Sequence, residues 1–168
     1  KANAHWYEMS ADKMSDLVMS IAYGDRLFVA RLTPPAFADQ RLACLDAHEG
    51  IDTDLCHALL NSTIGMFIIE GLGFGRGLGA LDLNKDRIQE YLQILDPSEL
   101  SPEQATRIKQ AFKPLLDRDI LCVADELEQA DRQAFDQAII DAFELTVSRD
   151  RIYENLLGLV EIRLTAND

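Results

Sequence analysis

Residues 71–79 read Gly-Leu-Gly-Phe-Gly-Arg-Gly-Leu-Gly, so five of the nine glycines stand at every second position of one short tract. Glycine has no Cβ atom, so its backbone adopts positive φ and approaches neighbouring groups closely. The tract has neither the G-x-G-x-x-G spacing of a dinucleotide-binding turn nor the Gly-Lys-Ser/Thr of a P-loop. Two interpretations stay open. It is either a tight helix-to-strand loop packed against a sheet, or an exposed loop in which Gly75 and Gly77 present Arg76 to a phosphate or a base edge.

The segment before this tract has helical periodicity. Apolar residues recur every three or four positions from Leu55 to Ile68, and Asp52 or Thr53 can cap the first turn. This pattern predicts one central buried helix. Residues 80–83 then alternate apolar and polar side chains, which predicts a strand, and Asn84 predicts the cap of a short helix.

Two segments are rich in residues that favour strands, residues 26–32 and residues 41–45. We predict that they pair with each other in one sheet. The double proline after the first segment should end that strand, and residues 33–40 should form an ordered loop anchored by Phe37. Helical spacing of apolar side chains predicts a short helix over residues 12–23.

The character of the sequence changes near Pro97. Ser101 followed by Pro102 is typical of a helix start, and the remaining chain reads as helices interrupted near Pro114 and Thr146. We therefore predict a mixed α+β fold. Residues 1–97 should form a small sheet packed on the central helix, and residues 98–168 a helical subdomain.

The charge of the chain restricts its partners. The formal net charge is -13, with only 16 Lys and Arg, whereas nucleic-acid binders ordinarily carry a basic surface that releases counterions from phosphates. DNA binding is expected only if basic residues gather on one face, or if another part of a longer protein supplies positive charge. The chain reads as a piece of such a longer protein.

Other compositional features point away from membranes, metals and catalysis. The longest apolar run, residues 64–69, is far shorter than the roughly 20 residues of a membrane span, and no signal peptide pattern opens the sequence. We therefore expect a cytoplasmic protein without a membrane partner. The three cysteines and three histidines match no metal-ligand spacing and no nucleophile–base pattern, and the thiols are expected to be small buried apolar groups.

Three arginines lie on or beside the two predicted strands, namely Arg26, Arg31 and Arg41. They indicate either a solvated face of the sheet or an edge that faces DNA. The aromatic group at residues 5–7 is interpreted mainly as packing against the end of the sheet.

Three stretches together resemble the C-terminal region of bacterial N6-adenine DNA methyltransferases of restriction-modification systems. They are residues 37–45, residues 58–83 with Leu-Leu-Asn-Ser-Thr followed by Gly-Arg-Gly-Leu-Gly-Ala-Leu-Asp-Leu, and residues 131–163 with Asp-Arg-Gln-Ala-Phe-Asp near their start. The resemblance implies a region that recognises the target sequence in double-stranded DNA. It also implies an adjoining methyltransferase domain that uses S-adenosylmethionine, and a restriction or specificity subunit as a further partner.

The chain departs from that family in its catalytic motifs. The Asn/Asp-Pro-Pro-Tyr/Phe tetrapeptide that receives the flipped adenine is absent, since the only double proline reads Thr33-Pro34-Pro35-Ala36. The cofactor-binding glycine loop is also absent. We therefore expect this chain alone to bind no S-adenosylmethionine and to have no enzymatic activity.

The candidate DNA-binding residues are thus Arg76 with Gly75 and Gly77, and Arg26, Arg31 and Arg41. The alternative is a protein-interaction module, in which the acidic helical half docks on a partner subunit.

Overall fold

The computed structural model describes residues 14–165. Within these residues the strands are β1 (Met14–Ser20), β2 (Ala22–Tyr23), β3 (Val29–Phe37), β4 (Leu42–Leu45), β5 (Phe74–Arg76) and β6 (Ala80–Asp82). The α-helices are α1 (Thr53–Leu60), α2 (Thr63–Leu72), α3 (Lys85–Tyr91), α4 (Pro102–Leu116), α5 (Val123–Leu127), α6 (Ala130–Ala142) and α7 (Arg149–Thr165). The predicted mixed α+β class is confirmed.

The strands form two antiparallel sheets of three strands each, in the orders β3-β1-β4 and β2-β6-β5. Ile21 joins them, because its N–H donates to the Arg41 carbonyl at 3.1 Å and its carbonyl accepts from the Leu83 N–H at 2.8 Å. The glycine-rich hairpin of the second sheet is therefore continuous with the first sheet.

Strand β1 corrects the predicted helix over residues 12–23, as far as the described residues reach. Its centre pairs with β3 on one side and β4 on the other. Leu17, Val18 and Met19 are all buried, so both faces of the strand are covered. A strand buried on both faces loses the period-two alternation of polar and apolar residues, and its sequence then resembles that of a buried helix.

Strand β3 also runs further than predicted. It continues through Pro34 and Pro35 to Phe37, because it lies at the edge of its sheet, where a proline interrupts no inner ladder. Phe37 is 40% exposed and is not a buried anchor. The two predicted strands share a sheet, but the prediction that they pair with each other is wrong, because β1 lies between them.

The predicted central helix is divided into α1 and α2. Asp52 caps α1 as predicted, accepting from the N–H groups of Asp54 and Leu55, but Ser62 then begins α2 by accepting from the Gly65 N–H at 3.0 Å. A Cβ atom on Gly65 would overlap the Leu60 carbonyl group, so the close turn requires glycine. No single helix within residues 14–165 is long and apolar enough to cross a membrane, and α1 and α2 satisfy length and composition only as a pair bent by 69°.

Several local predictions are confirmed. Asn84 caps α3 by accepting from the Asp86 N–H, and Ser101 with Gln104 forms a capping box at the start of α4. Helices α6 and α7 are separated around Thr146. The cysteines differ from expectation in part, since Cys56 is buried but Cys44 is exposed. The aromatic group at residues 5–7 lies outside the described residues.

Two hydrophobic clusters hold the molecule together, and each contains residues from both sides of Pro97. The first joins the sheets and α2 to α5 and α7, with Leu17, Ile69 and Leu156 among its members. The second joins α1 to α4 and α6, through Leu59 and Phe135 among others. Packing between α1 and the sheet is reinforced by Asn61, whose amide exchanges two hydrogen bonds with the Val29 backbone.

Candidate nucleic-acid interface

The glycine-rich tract forms the end of α2 and a β-hairpin rather than an irregular loop. Strand β5 pairs with β6 in the register Phe74↔Asp82, Gly75↔Leu81 and Arg76↔Ala80, and a 3-10 turn over Gly77–Gly79 connects them. Because successive side chains of a strand point to opposite faces, Phe74 and Arg76 share one face of β5, and Gly75 lies on the other face together with Leu81, its partner on β6. We call the face with Phe74 and Arg76 the side-chain face of the hairpin.

Two glycines of the tract have very close neighbours. A Cβ on Gly73 would overlap the Leu81 side chain, and a Cβ on Gly79 would lie 2.9 Å from the Leu164 side chain, where Gly79 also has a φ of +70°. A Cβ on Gly75 would make only an ordinary contact, at 3.5 Å from Arg163. The packed-loop interpretation therefore accounts for Gly73 and Gly79.

The side-chain face of the hairpin carries Phe74 and Arg76, which are 43% and 67% exposed. The guanidinium of Arg76 lies 5.6 Å from the centre of the Phe74 ring, and its Nε is 2.5 Å from Asp82 Oδ2. At the tip, Leu78 is 101% exposed and has a φ of 66°. An aromatic ring, a cation and an apolar tip thus face solvent on one small element.

A buried ion pair fixes this hairpin to the helices. Arg163 of α7 donates from Nε to Glu70 Oε1 at 2.6 Å and from Nη2 to Glu70 Oε2 at 3.1 Å, and both side chains are 4% exposed. Arg163 also donates to the carbonyls of Gly79 and Gly24. One arginine therefore connects α7, α2, the hairpin turn and the loop after β2.

A second buried network joins the Asn-Ser-Thr turn to α6. Asp136 accepts from the Thr63 N–H at 2.9 Å, from Thr63 Oγ1 at 2.5 Å and from the Tyr153 hydroxyl at 2.8 Å. Arg132 donates to the Asn61 carbonyl at 2.7 Å. Burial, followed by the charge of Asp136, raises the pKa of Tyr153 well above its usual range, so its hydroxyl remains a donor. These side chains are turned inward and hold the fold together.

Glu126 completes this network with a carboxylate shared between two arginines. It accepts from both Arg118 and Arg132 while being 3% exposed. Burial by itself raises the pKa of Glu126, but the hydrogen bonds and charges of the two arginines outweigh it, so the pKa lies below the usual range. The group is a structural ion cluster in which each charged side chain lies beside one of opposite charge.

The remaining candidate arginines lie apart from the hairpin turn. Arg31 on β3 pairs with Asp54 of α1 at 2.9 Å, and its Nη1 is buried without a hydrogen-bond partner among the described residues. Arg26 and Arg41 are exposed, in the loop before β3 and the turn before β4. Arg31 and Arg76 are therefore held by carboxylates of different elements, and the expected gathering of all four arginines on one face stays a prediction.

Sequence reasoning identified Arg76 and its flanking glycines but missed the other parts of the site. Phe74 and Leu78 are ordinary apolar residues in sequence, and only strand periodicity within the glycine tract could have placed Phe74 beside Arg76. Glu70 and Arg163 are separated by 93 positions, so no local signal joins them. Within the described residues, no group of three or more His, Cys, Asp or Glu could hold a metal ion.

Comparison with known proteins adds no relative. No family model matches the chain, and neither the curated proteins nor the solved structures give a significant match. Functional assignment therefore rests on the sequence resemblance and on the geometry of the hairpin.

Proposed function

We propose that this chain is the DNA target-recognition part of an N6-adenine DNA methyltransferase of a restriction-modification system. Its task is to hold a duplex in register while an adjoining domain, which binds S-adenosylmethionine, flips and methylates adenine. The observation that carries the proposal is the convergence of two of the resembling stretches. The first stretch, residues 58–83, contacts the second, residues 131–163, through a hydrogen bond between Thr63 and Asp136 and an ion pair between Glu70 and Arg163. These contacts support the hairpin that carries the exposed Arg76.

The hairpin has suitable chemistry for DNA. An arginine forms a bidentate pair with guanine O6 and N7 or binds a phosphate, and a β-ribbon fits the major groove. Arg76 would have to exchange Asp82 for such a partner. Because Arg76 is 67% but Asp82 only 20% exposed, the new contact has to offset the loss of a partly buried ion pair.

The acidity of the chain sets the expected strength of binding. With a net charge of -13, long-range repulsion opposes the few favourable phosphate contacts. Binding by this chain alone should be weak because of this repulsion, and it should fall steeply with added salt because phosphate contacts depend on the release of counterions. Positive charge in the methyltransferase domain would then provide most of the affinity of the whole enzyme.

The test is enrichment of duplexes from a randomised pool at low ionic strength, followed by affinity measurements with Arg76→Ala. We expect a loss of about 1–3 kcal/mol that differs between sequences if Arg76 reads a base, and an equal loss for all sequences if it binds phosphate. Arg107→Ala is the matched control, because Arg107 is an exposed arginine on α4. Failure to enrich any duplex, or equal behaviour of the two variants, would contradict the proposal.

Exposed apolar side chains on α7 favour a second candidate function, docking on a partner subunit. Leu159, Ile162 and Leu164 are 37%, 66% and 42% exposed, and Arg31 and Arg76 are already paired with carboxylates. In that case Ile162→Gln should weaken association with a methyltransferase or specificity subunit in sedimentation measurements, while Arg76→Ala should leave DNA binding by the assembled enzyme unchanged.

A further inference from the structure

Leu78 has two features that are unfavourable for a leucine in an isolated domain. Its side chain is 101% exposed, and its backbone is left-handed, with φ 66° and ψ 26°. The left-handed region brings Cβ close to the following carbonyl and is normally occupied by glycine or asparagine. Glycine at this position would avoid both the exposed apolar side chain and the strained backbone. The fold itself therefore gives no reason for leucine.

The turn that carries Leu78 is firmly held. The Gly79 carbonyl accepts a hydrogen bond from the buried guanidinium of Arg163, and Gly79 itself packs on Leu164. Arg76 and Ala80 pair across the base of the turn. Leu78 therefore projects from a supported position, and strained backbone that the surroundings maintain is characteristic of functional sites.

The neighbours of Leu78 make the tip narrow, with an arginine at its base. Gly77 and Gly79 contribute no side chains on either side of it, and Arg76, two residues earlier, is 67% exposed. A narrow apolar tip beside a cation fits a DNA groove, where apolar base surface lies between rows of phosphates. Proteins use leucine in this way as a wedge at a base step, and they use apolar side chains against the thymine methyl group.

We propose that Leu78 makes the apolar contact between this hairpin and the bases of a DNA duplex. The inference rests on the proposed function and adds to it the residue that touches the bases. Arg76 supplies the charged contact from the same hairpin. Leu78 supplies no polar group and so contributes nothing to binding of phosphates alone.

The test compares Leu78→Asn and Leu78→Gly with the unmodified 168-residue chain. Both replacements suit a left-handed backbone, so the Tm should be equal or higher. Affinity for the enriched duplex should fall about tenfold or more, because a leucine side chain is no longer buried on binding. Leu116→Gln is the control, since Leu116 is a 56% exposed leucine at the end of α4, and it should change neither quantity.

Two modified duplexes distinguish the kind of base contact. If Leu78 enters a base step, 2-aminopurine at that step should become more fluorescent with the unmodified chain and not with Leu78→Asn. If Leu78 contacts a thymine methyl group, replacement of thymine by uracil should weaken binding of the unmodified chain and leave Leu78→Asn unaffected. Either response supports the inference.

Other outcomes overturn it and separate it from the proposed function. If Leu78→Asn binds DNA as tightly as the unmodified chain while Arg76→Ala binds more weakly, the role of Leu78 is wrong and the proposed function stands. A lowered Tm in both Leu78 variants would show a structural role. If the Leu78 variants associated more weakly with a methyltransferase polypeptide and kept their DNA affinity, Leu78 would be a contact to that protein and not to DNA. If no duplex is enriched at all, the proposed function fails as well.

Discussion

Single glycines determine how closely the hairpin approaches α7. Gly79 combines a φ of +70° with a position where a Cβ atom would be 2.9 Å from the Leu164 side chain and 3.2 Å from its Cα. Gly79→Ala should therefore lower the free energy of unfolding by at least about 1–2 kcal/mol, measured by urea titration. A Cβ atom on Gly71 would meet nothing within 4 Å, and Gly71 has no positive φ, so Gly71→Ala in α2 should stabilise the protein by about 0.5–1 kcal/mol. Equal effects of the two substitutions would contradict this account of the glycine tract.

Asp136 belongs to a stretch that resembles the methyltransferases, but its contacts stabilise the fold. Its carboxylate is 4% exposed and satisfies donors of Thr63 and Tyr153. Asp136→Ala should cost roughly 3–5 kcal/mol, because it leaves those donors without an acceptor and removes one of the two carboxylates beside Arg132. Asp141→Ala, at an exposed position on α6, should change stability by less than about 0.5 kcal/mol. If Asp136→Ala proved as stable as Asp141→Ala, the network would not be structural.

Helix α7 and the hairpin depend on one another through Glu70 and Arg163. Breaking a buried ion pair by Arg163→Met or Glu70→Gln should each cost about 3–5 kcal/mol, and amide hydrogen exchange at Leu81 should become faster. The double variant should be more stable than the sum of the single losses implies, because no lone charge remains buried.

The pair Arg149–Asp150, at 3.3 Å and with Asp150 80% exposed, is the control for this ion pair. Asp150→Asn should change stability by no more than about 1 kcal/mol, since surface ion pairs contribute little. Strict additivity of the two buried substitutions would mean that Glu70 and Arg163 act independently.

Elements whose ends are set by nearby side chains could be predicted from the sequence. The caps Asp52, Asn84 and Ser101 each bond backbone groups two or three residues away, so the signal and its effect lie together. Strand β1 could not be recognised, because its two covered faces are supplied by distant segments. The break at Ser62 did have a local signal, since Asn-Ser-Thr inside an apolar helical pattern offers the backbone competing hydrogen bonds.

The candidate site likewise has parts that local sequence indicates and parts that depend on distant residues. Exposure of Arg76 is one of two interpretations that the sequence leaves open, because its glycine neighbours are compatible with a packed and with an exposed tract. The pairing of β5 with β6, the support from Arg163 and the exposed tip at Leu78 depend on where α7 packs. That packing is determined by buried residues of the whole chain, such as Leu156 and Ile69 in the shared cluster.

At the scale of the whole molecule, the buried ionisable groups make the stability of the fold depend on pH. Burial lowers the pKa of His57 below its ordinary value of 6.5, and the ring nitrogen Nε2 faces the Val29 carbonyl at 2.9 Å. Hydrogen bonds from Arg118 lower the pKa of Asp131 below its ordinary value of 3.8. In each case the folded protein binds protons less readily than the unfolded chain, so acidification favours unfolding.

The pH dependence of unfolding should therefore show two windows. A lowered histidine pKa contributes stability that is complete above about pH 6.5 and declines as the pH falls towards the folded pKa. His57→Gln should flatten this upper window, because glutamine can still donate to Val29 but does not titrate. The lower window belongs to the carboxylates of Glu126 and Asp131.

Glu126→Gln tests the lower window. At neutral pH the variant should lose about 3–5 kcal/mol of unfolding free energy, since Arg118 and Arg132 lose a buried counter-charge. Because the pKa of Glu126 is held below its ordinary value of 4.5, the stabilisation is complete above that pH and is lost as the pH falls through the folded pKa. The difference in unfolding free energy between variant and unmodified protein should thus shrink on acidification.

Glu128→Gln, at an exposed neighbouring position, is the control. It should give a small and constant difference in unfolding free energy in urea titrations across the same pH range. A Glu126→Gln difference that stays constant would mean that this carboxylate is not ionised in the folded protein, and the ion pairs assigned to it would be wrong.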